Sequence, residues 1–283
     1  MRLLRGFRLR AGVVVVAMVV LVGVAVTDVS VAAAGRQTYL QLNMCGNACN
    51  AGGLAVVRNL RDSITTARPV AVTLNEVCEN QFDWLRGDLP GYRGRFDPTG
   101  PTCVNGAHYG NAILVRAPEV ELVGSWPLPS PTGGEPRRLM CLRANPPHTG
   151  ALVVCGTHIS YAAADIGPQV AAVSRIVQPL EAPGPDGVQP AVLLGGDFNS
   201  MPTDSRLNPM YGACYASGTG TFEEAGAAGC TSRSTGTATF GNRKIDYIFL
   251  SPDRWSGVHA EAYDAVSGLS DHKGLWATAT PVS

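Results

Sequence analysis

The chain has 283 residues, with 22 Lys and Arg balanced by 22 Asp and Glu, so its formal net charge is zero. That balance excludes a partner held by bulk charge; contact with a polyanion such as nucleic acid would need a local basic patch. The length suits one large α/β unit, and no internal repeat or low-complexity linker divides it.

The first ten residues carry Arg2, Arg5, Arg8 and Arg10 and no acid, an unbroken apolar run fills 11–26, and Ala32, Ala33, Ala34 and Gly35 follow. Basic, apolar and small-residue regions in that order are the parts of a secretory signal peptide. Cleavage is therefore expected near Ala34, with 1–34 removed and 35–283 exported as a secreted, extracellular domain. A membrane anchor is the competing reading, but the apolar run is short for a span of roughly 20 residues, so no stable span is expected after cleavage. Cleavage takes four arginines and Asp28, leaving 18 basic against 21 acidic side chains.

In chain order, 38–43 alternates like a half-buried strand. Leu54, Val57, Leu60 and Ile64 recur at helical spacing, and 70–74 is a short apolar run ending in Asn75 and Glu76. Phe82, Trp84 and Leu85 read as the packing face of a short helix. A second apolar run covers 111–115, a Pro/Gly-rich loop covers 126–136, and 151–154 runs towards Thr157 and His158. Ile166, Val170, Val173, Ile176, Val177 and Leu180 predict a helix with Asp165 as its cap and Pro168 in its first turn. After a second Pro/Gly-rich loop at 182–190, the run 191–194 leads into Gly195-Gly196-Asp197-Phe198-Asn199. The Gly-, Ser- and Thr-rich stretch 201–242 is long enough to be a functional or disulfide-tied excursion. A strand at 244–250 and a last apolar segment opened by Ser270-Asp271-His272 complete the chain. His108 and His148 have no chemically capable neighbours and read as loop histidines.

All eight cysteines (Cys45, Cys49, Cys78, Cys103, Cys141, Cys155, Cys214, Cys230) lie after the signal region. An even number in an exported chain reads as disulfides, although about a hundred pairings exist. The local set 45–49, 78–103, 141–155 and 214–230 is the working expectation, and 141–155 is the best argued because it brackets an apparent hairpin. A zinc site is the alternative, but no C-x-x-C spacing is present.

Apolar strand candidates repeatedly end in residues able to do chemistry: Asn43, Glu76, His158, Asp197 with Asn199, and Asp271 with His272. Functional groups gather at the carboxyl ends of strands in sheets covered by helices, so these ends suggest a shared rim. Hard oxygen donors such as Glu76, Asp271 and the Asn43 amide suit Mg2+, and a carboxylate such as Asp246 can fix a histidine ring for contact with phosphate.

The segments Leu42-Asn43-Met44, Leu74-Asn75-Glu76, Tyr109-Gly110-Asn111, Thr157-His158, Gly196-Asp197-Phe198-Asn199, Ile245-Asp246-Tyr247-Ile248-Phe249 and Ser270-Asp271-His272, in this order, resemble the endonuclease/exonuclease/phosphatase (deoxyribonuclease I-like) superfamily over residues 38–279. The resemblance implies a four-layer α/β/β/α sandwich of two mixed sheets with outer helices. It implies a Mg2+-dependent phosphodiesterase, with Mn2+ or Ca2+ as alternatives, that hydrolyses phosphate esters by in-line attack of water. Glu76 would be the main metal ligand, with Asn43 and Asp271 binding directly or through water. Asp197 would align or deprotonate the water, and Asn199 would help hold it. His158 and His272 would contact phosphate oxygens, with Asp246 orienting His272. Arg138 best fits the family's cation near the hairpin before the His158 strand, Arg137 next, and Tyr109 and Asn111 would line the phosphate pocket. A monomeric enzyme with no obligate protein partner is expected.

Substrate is less determined. Arg137, Arg138, Arg233, Arg243, Lys244 and Lys273 could form a phosphate track, which favours a nuclease acting on DNA. A sphingomyelinase-like or inositol-phosphate phosphatase-like enzyme, or a non-catalytic binding module on the same fold, are the alternatives.

Overall fold

The computed structural model describes residues 35–184, 187–227, 229–230, 232–233 and 236–282. The signal-peptide expectation for 1–34 lies outside the described residues. Twelve strands are described: β1 (Gln37–Asn43), β2 (Ala71–Cys78), β3 (Arg93–Thr102), β4 (His108–Val115), β5 (Glu121–Pro127), β6 (Arg138–Ala144), β7 (Leu152–His158), β8 (Ala191–Asp197), β9 (Glu223–Glu224), β10 (Asp246–Leu250), β11 (Trp255–Tyr263) and β12 (Gly274–Pro281). The helices are α1 (Ala55–Ala67), α2 (Glu79–Asp88) and α3 (Ala163–Val177).

The strands form two six-stranded sheets, in the orders β11-β12-β1-β2-β4-β3 and β5-β6-β7-β8-β10-β9. Each has one parallel pair, β1 with β2 and β7 with β8, and the remaining pairings are antiparallel. A parallel pair needs a crossover, and α1 and α3 supply them. Three apolar clusters show the layering. Val57, Leu60 and Ile64 of α1 and Phe82 and Leu85 of α2 pack with Leu42, Val72 and Leu114 of the first sheet. Ile113, Val115 and Ala277 of that sheet meet Leu142, Val154, Leu193 and Ile248 of the second. Val153, Val192, Leu194 and Phe249 pack beneath Ile166, Val170 and Val173 of α3. Three interfaces separate four layers, helix, sheet, sheet and helix, as expected.

Helix α3 differs in detail from its expectation. Ala162 rather than Asp165 takes the cap position, and Pro168 falls in the second turn. Asp165 instead accepts hydrogen bonds from the Thr132 amide at 3.0 Å and hydroxyl at 2.6 Å. A carboxylate in the first turn is favoured by the helix dipole wherever the cap lies, and here it also ties down the loop before β6.

All four disulfides join the locally paired cysteines: Cys45–Cys49, Cys78–Cys103, Cys141–Cys155 and Cys214–Cys230. Cys141 and Cys155 face each other across β6 and β7. The 201–242 excursion carries the last disulfide and buries Tyr211, Tyr215 and Phe222 in the core beneath α3. No described helix is long and apolar enough to cross a membrane.

Towards the carboxyl ends of β2 and β8 the sheets come close. A Cβ placed on Gly195 of β8 would lie 2.0 Å from Thr73 Oγ1 of β2, so the glycine is required by the opposite sheet. Gly195→Ala is expected to cost about 1–3 kcal/mol, the range for overpacking a filled core. For a chain of this size that is about 2–4 °C per kcal/mol in thermal unfolding. An unchanged melting temperature would show that the sheets can part without penalty.

Candidate active site

The two parallel pairs place their carboxyl ends at the same edge of the sandwich. In the first sheet Asn43 is level with Asn75, and in the second His158 is level with Asp197. A register break between Leu74 and Val77 in the β2–β4 pairing, with Glu76 at φ 56°, turns Glu76 out at the rim. Bulges commonly redirect a side chain in this way.

Asp197 is the meeting point. Its Oδ2 lies 3.1 Å from Asn43 Nδ2, 3.5 Å from His158 Nε2 and 3.8 Å from His272 Nε2. Asp246 stands directly opposite it across β8 and β10, and both carboxylates are buried. Burial first, then the Asp246 charge, raise the Asp197 pKa to about 7 against the pull of His272. Asp246 Oδ2 accepts from His272 Nδ1 at 2.8 Å. Burial opposes protonation of His272, but the bond to Asp246 and the Asp246 and Asp197 charges outweigh it and raise its pKa to about 9.

His158 is built differently. Its Nδ1 lies 2.7 Å from Arg137 Nη1. A guanidinium can only donate, so Nδ1 is assigned as acceptor and the ring proton sits on Nε2, towards Asp197. Burial, then Arg137 and His272, push the His158 pKa well below 6.5. The site thus holds one cationic and one neutral imidazole, each presenting Nε2–H. Asn199, at φ 49° just past β8, anchors its amide to the Ile159 carbonyl at 2.9 Å and lies 3.3 Å from His158 Nε2.

The expected residues divide accordingly. Asn43, His158, Asp197, Asn199, Asp246 and His272 come together, and Asn43 Nδ2 also reaches Glu76 Oε1 at 3.0 Å. The Asn43 carbonyl oxygen, however, accepts from the Cys45 amide at 3.1 Å. Asn43 is therefore held here as a donor to Glu76 and Asp197, not with its oxygen directed as a metal ligand. Asp271 is exposed and its carboxylate lies beside the Cys45–Cys49 disulfide rather than in the buried cluster. Tyr109 touches Glu76; burial and the Glu76 and Glu135 charges drive its pKa up. Asn111 accepts from Asn75 at 3.0 Å, a step behind the rim.

Arg138 is turned away from His158. It pairs with Asp97 at 3.1 Å and donates to the Ser125 hydroxyl at 2.6 Å, whereas buried Arg137 is the cation at His158. Neighbours entering a strand face opposite ways, so only one of the two could turn to His158. His108 and His148 are not among the residues around Asp197.

Sequence reasoning gave no role to Gln41, Asn75 or Glu135. Gln41 donates to Asn75 Oδ1 at 2.7 Å and to Asp246 Oδ1 at 3.3 Å. Asn75 donates to the Thr157 carbonyl at 2.9 Å and accepts from the Asp197 amide at 3.0 Å, so it clasps the two sheets. The available signal was alternation: in β1, Gln41 and Asn43 are two residues apart and share a face. Glu135 lies 3.2 Å from Arg137 Nη1; burial chiefly, and Glu76, raise its pKa despite that arginine.

The donor set fits a hard divalent cation. Glu76 offers a partly exposed carboxylate at the rim, next to further oxygen donors and without a free thiol, since every described cysteine is in a disulfide. A second group, Asp197, Asp246 and His272, has ligand-type atoms within 4.8 Å of one another, but these residues already bond among themselves.

A family model described as the Endonuclease/Exonuclease/phosphatase family matches residues 40–272. No curated protein matches. Among solved structures, the human Nocturnin catalytic domain with bound sulfate superposes with a TM-score of 0.67 at 17% identity, covering 87% of this chain and 95% of that one. A Bacteroides thetaiotaomicron mannosyl-6-phosphatase gives 0.62 at 16%, covering 87% and 100%. D. rerio TDP2 complexed with a single-strand DNA product gives 0.62 at 15%, covering 87% and 99%. At these identities the likeness establishes the fold.

Two outcomes follow from the buried carboxylates. The folded pKa of Asp197 is above its ordinary 3.8, so the folded state holds a proton that the unfolded chain has lost between about pH 4 and 7. Its contribution is favourable below that window and lost as pH rises through it. In metal-free protein Asp197→Asn should therefore raise the melting temperature more at pH 8 than at pH 5; an equal effect at both would remove the burial cost from Asp197. His272, raised from 6.5 to about 9, adds stability below pH 6.5 that disappears as pH passes 9. Asp246→Asn should lower its titration midpoint, followed by NMR of the ring, by at least about one unit.

Proposed function

The chain belongs to the endonuclease/exonuclease/phosphatase family, and on that premise we propose that it is an exported, divalent-metal-dependent phosphoesterase acting by in-line attack of water. The observation that carries this reading is Asp197, whose one carboxylate oxygen faces Asn43, His158 and His272 together.

Each side chain has a distinct task. Asp197, with a pKa near 7, is suited to orient water and accept its proton at neutral pH. The water oxygen bonds phosphorus, the ester P–O bond breaks, and the alcohol leaves with a proton. His272, held cationic by Asp246, and His158, held neutral by Arg137, direct Nε2–H groups at the phosphoryl oxygens, with the Asn199 amide beside them. Donors fixed in advance need little reorganisation as charge develops, which is the largest source of such catalysis. Glu76 would hold the cation, with Asp271 and a turned Asn43 amide as further oxygen donors. When bound, a hard ion such as Mg2+, or Mn2+ or Ca2+ in its place, supplies charge neutralisation on phosphate.

Export rests on the basic, apolar and small-residue N-terminus together with four disulfides suited to an oxidising compartment.

A nuclease is the second reading. Of its six candidate cations, Arg137, Arg138, Arg233 and Lys244 are spent on internal partners: His158, Asp97, Asn208 and Glu224. Arg243 and Lys273 remain exposed. The Arg243 guanidinium lies 4.9 Å from the Phe240 ring, which is 4.7 Å from that of His272, and the Lys273 amide donates to the adjoining Thr239 carbonyl. An aromatic ring beside an exposed cation can accept a base and a neighbouring phosphate, and this is what favours DNA.

Purified protein should hydrolyse bis-p-nitrophenyl phosphate with Mg2+ and stop with EDTA. Glu76→Ala and His272→Ala should each lower kcat at least about a hundredfold. Turnover without metal, or no turnover of any ester, would falsify this assignment; nicking of plasmid DNA under the same conditions decides the second reading.

A further inference from the structure

Beside Glu76 lies a cavity of about 170 Å³ lined by Asn47, Ala48, Glu76, Pro101, Tyr109 and Glu135. Two covalent ties shape its walls. Asn47 and Ala48 sit inside the Cys45–Cys49 loop, and Pro101 lies just before Cys103, which is bonded to Cys78. The loops are also joined to each other, because the Val104 amide donates to Asn47 Oδ1 at 2.9 Å. A cavity with walls fixed in this way selects by shape without first being ordered.

Its chemistry is one-sided. Two carboxylates line it, and no lysine or arginine does. Glu76 is the residue assigned to the cation, which leaves Glu135 as the carboxylate available to whatever is attached to the scissile phosphate. Asn47 uses its carbonyl oxygen on Val104 and keeps an NH2 donor, while Tyr109 and Pro101 offer flat walls. The volume is well under the roughly 300 Å³ at which pockets for drug-sized ligands begin. One ring-sized group fits. A second phosphate would meet like charge, which rejects a wrong partner more effectively than a lost contact does.

We infer that Glu135 is a specificity-determining residue: with Asn47 and Tyr109 it takes the uncharged, hydroxyl-bearing alcohol part of a compact phosphate ester and excludes a second phosphate. The inference rests on the phosphoesterase reading and narrows its substrate class. Glu135 also lies 3.2 Å from Arg137, which in turn holds His158. A purely structural role would therefore act through His158 and appear in kcat for every ester alike, whereas recognition appears in KM and in the ratio between substrates.

The test compares kcat/KM of the full protein with Mg2+ for a hexose 6-phosphate and the corresponding hexose 1,6-bisphosphate. The wild type should favour the monophosphate at least about tenfold, within the range one misplaced polar or charged group imposes. Glu135→Gln should shrink that ratio at least about fivefold, mainly through KM, and Glu135→Asp should restore part of it. Asn47→Asp, which adds a charge without touching Arg137, should widen the ratio. A ratio unmoved by all three variants, a uniform fall in kcat, or a wild type that prefers the bisphosphate overturns the inference while leaving a phosphoesterase in place. Absence of turnover on every ester, simple nitrophenyl esters included, overturns the functional reading itself.

Discussion

Two carboxylates, Asp197 and Asp246, are buried opposite each other on adjacent strands, and the rest of the site is organised around keeping them there. Alone, such a pair would be expelled or neutralised. Here the compensation comes from both sheets. His272, on the approach to β12, and Asn43, Gln41 and Asn75 reach across from the first sheet, while the Asn199 amide donates to Asp197 within the second. The inter-sheet contact therefore changes character along its length. It is apolar through Ile113, Leu142, Leu193 and Ile248, and becomes a hydrogen-bonded amide and carboxylate layer at the catalytic end. The layer that joins the sheets there also sets the protonation of Asp197 and His272.

The two halves repeat one plan without repeating a sequence. Each has a strand, a crossover helix and a parallel strand, bracketed by antiparallel neighbours. Packing the halves face to face puts the ends of both parallel pairs side by side. One half contributes Glu76 and the amides of Asn43 and Asn75; the other contributes Asp197 and His158. Neither sheet holds a complete set. This gives a physical reason why Gly195 must lack a side chain: a methyl group there would push against Thr73 and separate the contributions.

The sequence revealed the strands that lie in the middle of sheets and hid those at the edges. The runs at 70–74, 111–115, 151–154 and 191–194 are buried on both faces and so read as continuous apolar stretches. β3, β5, β9 and β11 are the four edge strands. β3 reads Arg-Gly-Arg-Phe-Asp-Pro-Thr-Gly-Pro-Thr, a composition that resembles a loop because an edge needs neither a full apolar face nor every amide bonded. Site residues at strand ends were legible for the complementary reason: a polar residue closing an apolar run stands out. Gln41 and Asn75 did not stand out, because they are interior members of a pattern whose meaning depends on the sheet opposite. Arg137 and Arg138 could not be ordered from sequence, since either could face His158 and only the path of the chain into β6 decides which does.

That choice matters because it separates the two histidines. Asp246 can only accept a proton bond from His272, and Arg137 can only donate one to His158, so the same ring is driven cationic in one position and neutral in the other. Had both rings faced carboxylates, two imidazolium ions would stand beside Asp197 and hold it firmly ionised. Had both faced guanidinium groups, nothing but Asn43 and Asn199 would offset the Asp197–Asp246 repulsion, and Asp197 would keep its proton at neutral pH. One of each leaves Asp197 poised near pH 7 while both rings still present an N–H to the same space. The arginine beside His158 keeps that ring neutral and so leaves His272 as the positive charge beside Asp197.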